Sequence, residues 1–265
     1  EIKTGVVAIL IYCTMGVYLA AALAMFLRAR KLGTAIYLAG FAVAAVAFGV
    51  RWNEVEHVPL QNLFEVFLCL GMLICPLSLF CKRFMRVGGM AADCLIGVIV
   101  LFPAGFVFNA EPQKLPPALQ SWLFAPHVAA YMAAYMIMAK AAVQAVGQLR
   151  QDRLGGPEAE GLVGYEAGAY KMVRLGFPLL TLGLILGAWW GKLAWGDYWN
   201  WDPKELWSLV SWLVYAAYLH FRYIYGRRRP KANSLFVLGG MAAIIITLLW
   251  VNLSRIFSGL HSYAS

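Results

Sequence analysis

The densest group of aromatic side chains lies at residues 195–207, where thirteen residues hold four tryptophans and one tyrosine. Tryptophan at a bilayer surface is ordinarily an anchor, and this role accounts for one or two of the four. Indole rings gathered in one loop also offer flat apolar surfaces on which a large planar ligand packs. The stretch therefore favours a porphyrin-sized ligand, provided that metal-binding groups lie nearby. The tryptophans are Trp195, Trp199, Trp201 and Trp207.

The chain contains four histidines, and imidazole is a common ligand of haem iron. His127 begins an apolar run and His261 lies near the end of the sequence. By the membrane orientation derived below, both fall on the same side as the aromatic stretch. Together they would fill the two axial positions of an iron porphyrin from opposite flanks of a shelf of indoles. Each is also consistent with an ordinary surface histidine. A location on the same side of the membrane does not show that the two side chains converge.

His220 follows Asp202 by eighteen residues, which is five turns of α-helix, so both fall on one helix face. The spacing carries His220 about 27 Å toward the inner side of the membrane. An ionisable side chain buried in a membrane span is by default a functional candidate, and the alternative is a histidine that caps inner-leaflet contacts. A second metal ligand beside His220 has to come from another residue type or another polypeptide.

The aromatic stretch ends in a signature for the start of a helix. Asp202 is suited to the N-cap position, Pro203 to the first helical position, and Glu205 to the third, where its carboxylate reaches back to the cap. We therefore expect Asp202 and Glu205 to shape the loop and the helix start rather than to transfer protons.

Composition places these residues in a membrane. Of the 265 residues, 62% are hydrophobic and 13% are charged, and the mean hydropathy is +0.69. Because about 20 apolar residues cross a bilayer, the sequence predicts an all-α polytopic protein with about eight transmembrane helices. We expect one membrane domain over 1–265, with an outer tryptophan-rich motif at 189–207 between helices 6 and 7. The apolar runs cover 6–27, 33–50, 62–81, 90–109, 127–148, 173–194, 204–225 and 235–257.

The net charge of +9 raises the possibility of a nucleic-acid partner, but its distribution argues for membrane orientation instead. Fifteen of the twenty-two basic residues fall in alternate loops, which the positive-inside rule assigns to the cytoplasm. Both termini and the tryptophan-rich loop then face the non-cytoplasmic side. The fifteen are Arg28, Arg30, Lys31, Lys82, Arg83, Arg86, Arg150, Arg153, Lys171, Arg174, Arg222, Arg227, Arg228, Arg229 and Lys231.

The outer loop before the third apolar run contains His57 and, eight residues later, Glu65. A carboxylate about one turn inside a membrane helix is costly unless it is paired, so we expect a structural role for Glu65. His57 is either a loop-fixing histidine or an accessory residue. The five cysteines contain no C-x-x-C-H motif, so the chain cannot hold its own c-type haem through the usual thioether bonds.

Four stretches resemble the CcsA/ResC family of cytochrome c assembly proteins, within a haem-handling superfamily defined by a WWD domain. The Pro-Lys-Glu that follows Asp202 and the terminal Gly-Leu-His-Ser-Tyr fit CcsA better than the related CcmC and CcmF proteins. The segment from His57 to Glu65 is similar to the family's H-x-P-L-x-N-x-x-E stretch. The four stretches are 176–183, 195–205, 218–220 and 259–263.

The resemblance implies that haem b, iron protoporphyrin IX, is held at the outer face and joined to the C-x-x-C-H thiols of an apocytochrome c (system II). It carries over His127 and His261 as the outer iron ligands, with a catalytic role, and His220 as the ligand of a membrane site. The tryptophans and Asp202 would form the haem-binding loop. A CcsB/ResB-type partner, fused or separate, would complete a holocytochrome c synthase in the bacterial plasma membrane or the thylakoid membrane.

Two alternatives remain from other classes of protein. A quinol-linked b-type haem anchor would place pairs of histidines at matched depths within the bilayer, whereas three of the four histidines here fall at outer positions. A transporter or assembly scaffold without a cofactor would be colourless after purification.

Overall fold

The computed structural model describes residues 3–154 and 161–251. These residues form eight α-helices and no β-strand, with one helix at each predicted span, so the all-α prediction is confirmed. Several helices extend beyond the apolar runs, because hydrogen bonding along a helix does not stop at the edge of its apolar segment. The helices are α1 Val6–Phe26, α2 Arg30–Val55, α3 Leu63–Met85, α4 Met90–Phe106, α5 Phe124–Leu154, α6 Tyr165–Trp195, α7 Pro203–Tyr225 and α8 Pro230–Ile245.

Within the described residues, six helical segments are long and apolar enough to cross a membrane, so the predicted count of eight is not confirmed. α4 is apolar but has only 17 residues. The predicted run 90–109 is longer, because its last three residues follow the end of the helix. α7 is long enough, but His220, Arg222 and its tyrosines lower its hydropathy. The six segments are Val6–Phe26, Arg30–Val55, Leu63–Met85, Phe124–Arg150, Tyr165–Trp195 and Pro230–Trp250.

Contacts along the chain divide it into two compact units, and the first, residues 1–83 and 89–119, contains α1 to α4. Its centre holds the fully buried Tyr18 of α1, whose hydroxyl donates to the carbonyl of Gly71 at 3.0 Å. A Cβ atom built at Gly40 or at Gly97 would lie 2.6 Å from the Tyr18 ring. These two glycines therefore let α2 and α4 approach the aromatic ring closely, as small residues do between membrane helices.

The second unit comprises residues 84–88 and 120–265, and its described helices are α5 to α8. Glu166 of α6 ties three of them together at one end. It accepts hydrogen bonds from Arg222 of α7 at 2.5 and 3.1 Å and from Asn233 of α8 at 3.0 Å. Lys140 of α5, which is 1% exposed, donates to the carbonyl of Gly88 at 2.9 Å. A single membrane domain over the whole chain stays a prediction.

Candidate functional site

The start of α7 has the predicted capping box. The Asp202 side chain accepts a hydrogen bond from the amide of Lys204 at 2.9 Å. The Glu205 carboxylate accepts in return from the amides of Asp202 at 3.2 Å and Asn200 at 2.8 Å. These bonds satisfy amides that lack partners at a helix N-terminus. Both carboxylates are thus engaged in shaping the loop, as the sequence predicted.

The loop between α6 and α7 turns at two residues with left-handed backbone. Gly196 ends α6 with φ of +91°, a value that glycine adopts without steric cost. Trp201 has φ of +57°, which is uncommon for a bulky residue and costs on the order of 1–3 kcal/mol. The amides on either side of Trp201, those of Asn200 and Asp202, both donate to Glu205 and hold this conformation. The Trp201 side chain is 69% exposed.

The tryptophan rings of the loop do not form the flat shelf that the sequence analysis expected. The rings of Trp199 and Trp201 are 5.9 Å apart and lie at 86° to each other, so they meet edge to face. Trp195 packs instead against Trp190 of α6, at 4.7 Å and 65°. Trp199 and Trp207 are partly exposed. Edge-to-face contact is a favoured geometry for indoles, and a mere count of tryptophans carries no information on ring angle.

His127, at the start of α5, is half-buried and fixed by a hydrogen bond to α6. Its Nδ1 lies 2.9 Å from the carbonyl oxygen of Gly183. Because a carbonyl only accepts hydrogen bonds, Nδ1 carries a proton, and in the neutral ring the lone pair is on Nε2. Metal-binding histidines usually donate the other ring N–H to a carbonyl or a carboxylate in this way.

Aromatic rings hold the imidazole of His127 from two sides. Trp190, 2% exposed, stacks on it at 5.7 Å and 24°. Tyr131, one turn further along α5, meets it edge-on at 5.2 Å and 86°. Trp190 also contacts Trp195, so adjacent rings lead from His127 to the start of the tryptophan-rich loop. Trp190 and Gly183 lie within stretches that the sequence analysis singled out, but sequence reasoning assigned neither them nor Tyr131 a contact with His127. Gly183 and Gly187 are four residues apart and thus mark one face of α6.

His220 lies on the exposed face of α7. Its side chain therefore faces away from the packed interior of the helices, whereas Asp202, predicted to share its helix face, is only 6% exposed. Burial of His220 within the bilayer stays a prediction. Asp202 is a cap outside the helix, so its spacing from His220 does not follow helical periodicity. The Nδ1 of His220 lies 2.8 Å from the carbonyl oxygen of Ala216, so in the neutral ring Nε2 carries the lone pair, as it does in His127.

Glu65 belongs to a buried ion pair in the first unit, and this pairing favours the structural role that the sequence predicts. It contacts Arg51 at 2.9 Å, and both side chains are 1% exposed. Its second oxygen accepts from the amide of Gln61 at 2.9 Å. Arg51 also donates to the carbonyl of Ala110 at 2.7 Å. Paired charges with additional hydrogen bonds are the form in which buried ions are tolerated.

Both ring nitrogens of His57 face backbone carbonyl oxygens. Nδ1 lies 3.0 Å from the oxygen of Val58, and Nε2 lies 3.3 Å from that of Gln113. With an acceptor beside each nitrogen, the ring has no nitrogen directed toward a metal. Of the two interpretations left open by the sequence, this geometry favours the loop-fixing one.

The residues that are described fit haem iron at two places. His127 and His220 each engage Nδ1 with a backbone carbonyl, so that Nε2 is the nitrogen suited to an axial bond. The third predicted ligand, His261, lies outside the described residues, so the predicted pairing of His127 with His261 stays a prediction.

Residues 60–258 match the protein family described as cytochrome C assembly protein. The chain belongs to this family. Among its relatives, the cytochrome c biogenesis protein CcsA of Synechococcus elongatus is 32% identical, over 86% of this chain and 87% of the relative. CcsA of Chlamydomonas reinhardtii is 32% identical over 81% of this chain and 63% of the relative. CcsA of Synechocystis is 29% identical over 86% of each chain. The predicted resemblance to CcsA is confirmed.

Proposed function

We propose that this protein takes part in cytochrome c biogenesis by presenting haem b at the non-cytoplasmic face of the membrane for covalent attachment to an apocytochrome c. The observation that carries this proposal is the fixed imidazole of His127. Its Nδ1 is bound to the Gly183 carbonyl and its ring is stacked on Trp190, next to the tryptophan-rich loop. Membership of the cytochrome c assembly family and the similarity to CcsA proteins support the same function.

The outer site uses His127 and His261 as the two axial ligands of the haem iron. Trp195, Trp199, Trp201 and Trp207 contact the porphyrin with separate ring edges and faces rather than as one flat shelf, and Asp202 keeps the loop between α6 and α7 in shape. Ligation by two imidazoles saturates the iron and withholds it from oxygen. The chain thereby holds its substrate with one edge accessible to an incoming polypeptide.

The attachment step adds the two cysteine thiols of a C-x-x-C-H motif to the two vinyl groups of haem. Each sulfur forms a bond to one vinyl carbon, and the thiol hydrogen goes to the neighbouring carbon. No group leaves and no oxidant is consumed. The histidine of the motif then replaces one of the two outer ligands, which releases the product.

His220 serves a second haem position nearer the cytoplasmic side. Its imidazole is exposed on α7 although the side chain is ionisable, and its Nδ1 is already bound to the helix backbone. An exposed imidazole on a membrane helix is costly without a partner group. We propose that a membrane protein of the CcsB/ResB type supplies the opposite ligand.

The test is to produce the full chain together with a CcsB-type partner in a host without its own cytochrome c maturation. We expect His127→Ala and His261→Ala each to abolish formation of holocytochrome c while the protein remains inserted in the membrane. His57→Ala is the matched control, because both of its ring nitrogens already face carbonyl oxygens, and it should retain maturation. Unchanged maturation in the His127 or His261 variant would refute the proposal.

An absorption spectrum of the purified complex separates the remaining alternatives. A colourless protein would indicate a transporter or scaffold without haem. For a coloured protein, an added peptide with a C-x-x-C-H motif distinguishes the two haem functions. We expect thioether-linked haem on the peptide, whereas a b-type electron-transfer anchor would leave it unmodified.

A further inference from the structure

Two glycines one turn apart on α6 form the surface against which the His127 ring lies. Gly183 provides the carbonyl oxygen that accepts the hydrogen bond from Nδ1 at 2.9 Å. A Cβ atom built at Gly187 would lie 2.6 Å from Cε1 of His127, 2.9 Å from Nδ1 and 3.5 Å from Nε2. The three nearest atoms to that position therefore all belong to the imidazole.

Other glycines of α6 have different neighbours. A Cβ at Gly176 would meet the flexible end of Met138, and one at Gly183 would meet the Tyr131 ring at 3.0 Å. At Gly191, one turn beyond Gly187, the nearest atom would be the carbonyl oxygen of Asp197 at 3.4 Å, an ordinary contact. The close approach of α6 to His127 thus depends on Gly187 in particular.

We infer that Gly187 is a positioning residue: by its contact with the His127 ring, it directs Nε2 of His127 toward the iron of the bound haem. This inference rests on the proposed function. A methyl group at Gly187 would occupy the space of the ring, so the imidazole would have to move relative to both the Gly183 carbonyl and the Trp190 ring. Residue 127 would then still be a histidine, but the lone pair on its Nε2 would point in another direction.

The experiment compares Gly187→Ala with Gly191→Ala in the full chain produced with its CcsB-type partner. We expect Gly187→Ala to lower haem affinity by about 10–100-fold, the range seen when groups that orient a metal ligand are removed. The optical and electron paramagnetic resonance spectra of the remaining haem should show an altered axial ligand. Gly191→Ala, with the same gain in helix propensity and no close contact, should keep the wild-type affinity and spectrum.

The double variant His127→Ala/Gly187→Ala distinguishes positioning from a general effect on the fold. With the imidazole removed, the added methyl group has space. Gly187→Ala should therefore lower the thermal midpoint of the haem-free protein in the wild-type background but lower it no further in the His127→Ala background. An additional loss equal to that in the wild-type background would overturn the inference, because Gly187 would then act independently of His127.

Failure of the inference and failure of the proposed function give different results. If wild-type protein retains haem, His127→Ala loses it and Gly187→Ala retains it with an unchanged spectrum, only the positioning role of Gly187 is refuted. If wild-type protein binds no haem, or if His127→Ala binds haem as tightly as wild type, the proposed function itself fails.

Discussion

Arg51 and Glu65 form an ion pair in which both side chains are 1% exposed. The Glu65 carboxylate accepts two hydrogen bonds from Arg51, one from Nε at 3.1 Å and one from Nη2 at 2.9 Å. Burial of charge is tolerated here because each partner neutralises the other and both have further hydrogen bonds to backbone. Removal of one partner should therefore cost more than the pair itself contributes.

We predict that Glu65→Gln destabilises the protein by about 3–5 kcal/mol, because the buried Arg51 guanidinium loses its buried counter-charge and keeps only the more exposed carboxylate of Glu54 at 3.5 Å. Glu54→Gln is the matched control. Glu54 contacts the same arginine at 3.5 Å, but its side chain is 37% exposed, so its loss should cost less than about 1 kcal/mol. Thermal unfolding in detergent measures both variants, and equal midpoints would contradict the argument.

At the scale of elements, one carboxylate organises the transition from the tryptophan-rich loop to α7. Glu205 accepts from the amides of Asn200 and Asp202, on either side of the left-handed Trp201. The conformation of Trp201 is unfavourable by itself and persists because its neighbours are held. The orientation of the exposed Trp201 ring therefore depends on the helix cap.

We predict that Glu205→Ala destabilises the start of α7 by about 1 kcal/mol and loosens the loop, because two amides lose their acceptor. Amide hydrogen exchange at Asn200 and Asp202 should accelerate. Glu205→Gln retains a side-chain oxygen at the same position and should exchange nearly as slowly as wild type. Faster exchange of equal size in both variants would show that charge, and not the accepted hydrogen bonds, holds the loop.

For the whole molecule, the bilayer acts as the solvent. Large apolar side chains such as Ile99, Ile185 and Leu235 are between 60% and 68% exposed, as expected of helices that face lipid. Basic residues are concentrated in alternate loops, and the positive-inside rule predicts that these loops lie on the cytoplasmic side. The tryptophan-rich loop falls on the opposite side in this scheme.

We predict that a cysteine introduced at Asn200 reacts with a membrane-impermeant maleimide in intact cells without an outer membrane, and that one at Arg228 reacts only after permeabilisation. Both positions are exposed in loops. The unmodified chain is the control, because Cys69, Cys75, Cys81 and Cys94 are buried and Cys13 lies within α1. Labelling of the Arg228 variant in intact cells would show that the protein has the opposite orientation in the membrane.

Features that depend on neighbouring residues could be predicted from the sequence. The helix at each apolar run follows from composition, and the capping box of Asp202 and Glu205 follows from a spacing of three residues. The structural role of Glu65 followed from the cost of an unpaired carboxylate in a membrane helix. The number of spanning helices could not be predicted from composition alone, because three residues that follow α4 and the polar side chains of α7 fall within the apolar runs.

The surroundings of the histidines were decided only by tertiary structure. The bond from His127 to Gly183 joins residues 56 positions apart, and that from Arg51 to Ala110 joins residues 59 apart. Such contacts depend on which helices pack together and at what rotation, neither of which is encoded in a local spacing. The sequence by itself identified the residue types able to bind haem and the loop that carries the tryptophans. Helix packing determined that the His127 ring lies against Gly187 and Trp190 and that His220 faces away from the packed interior.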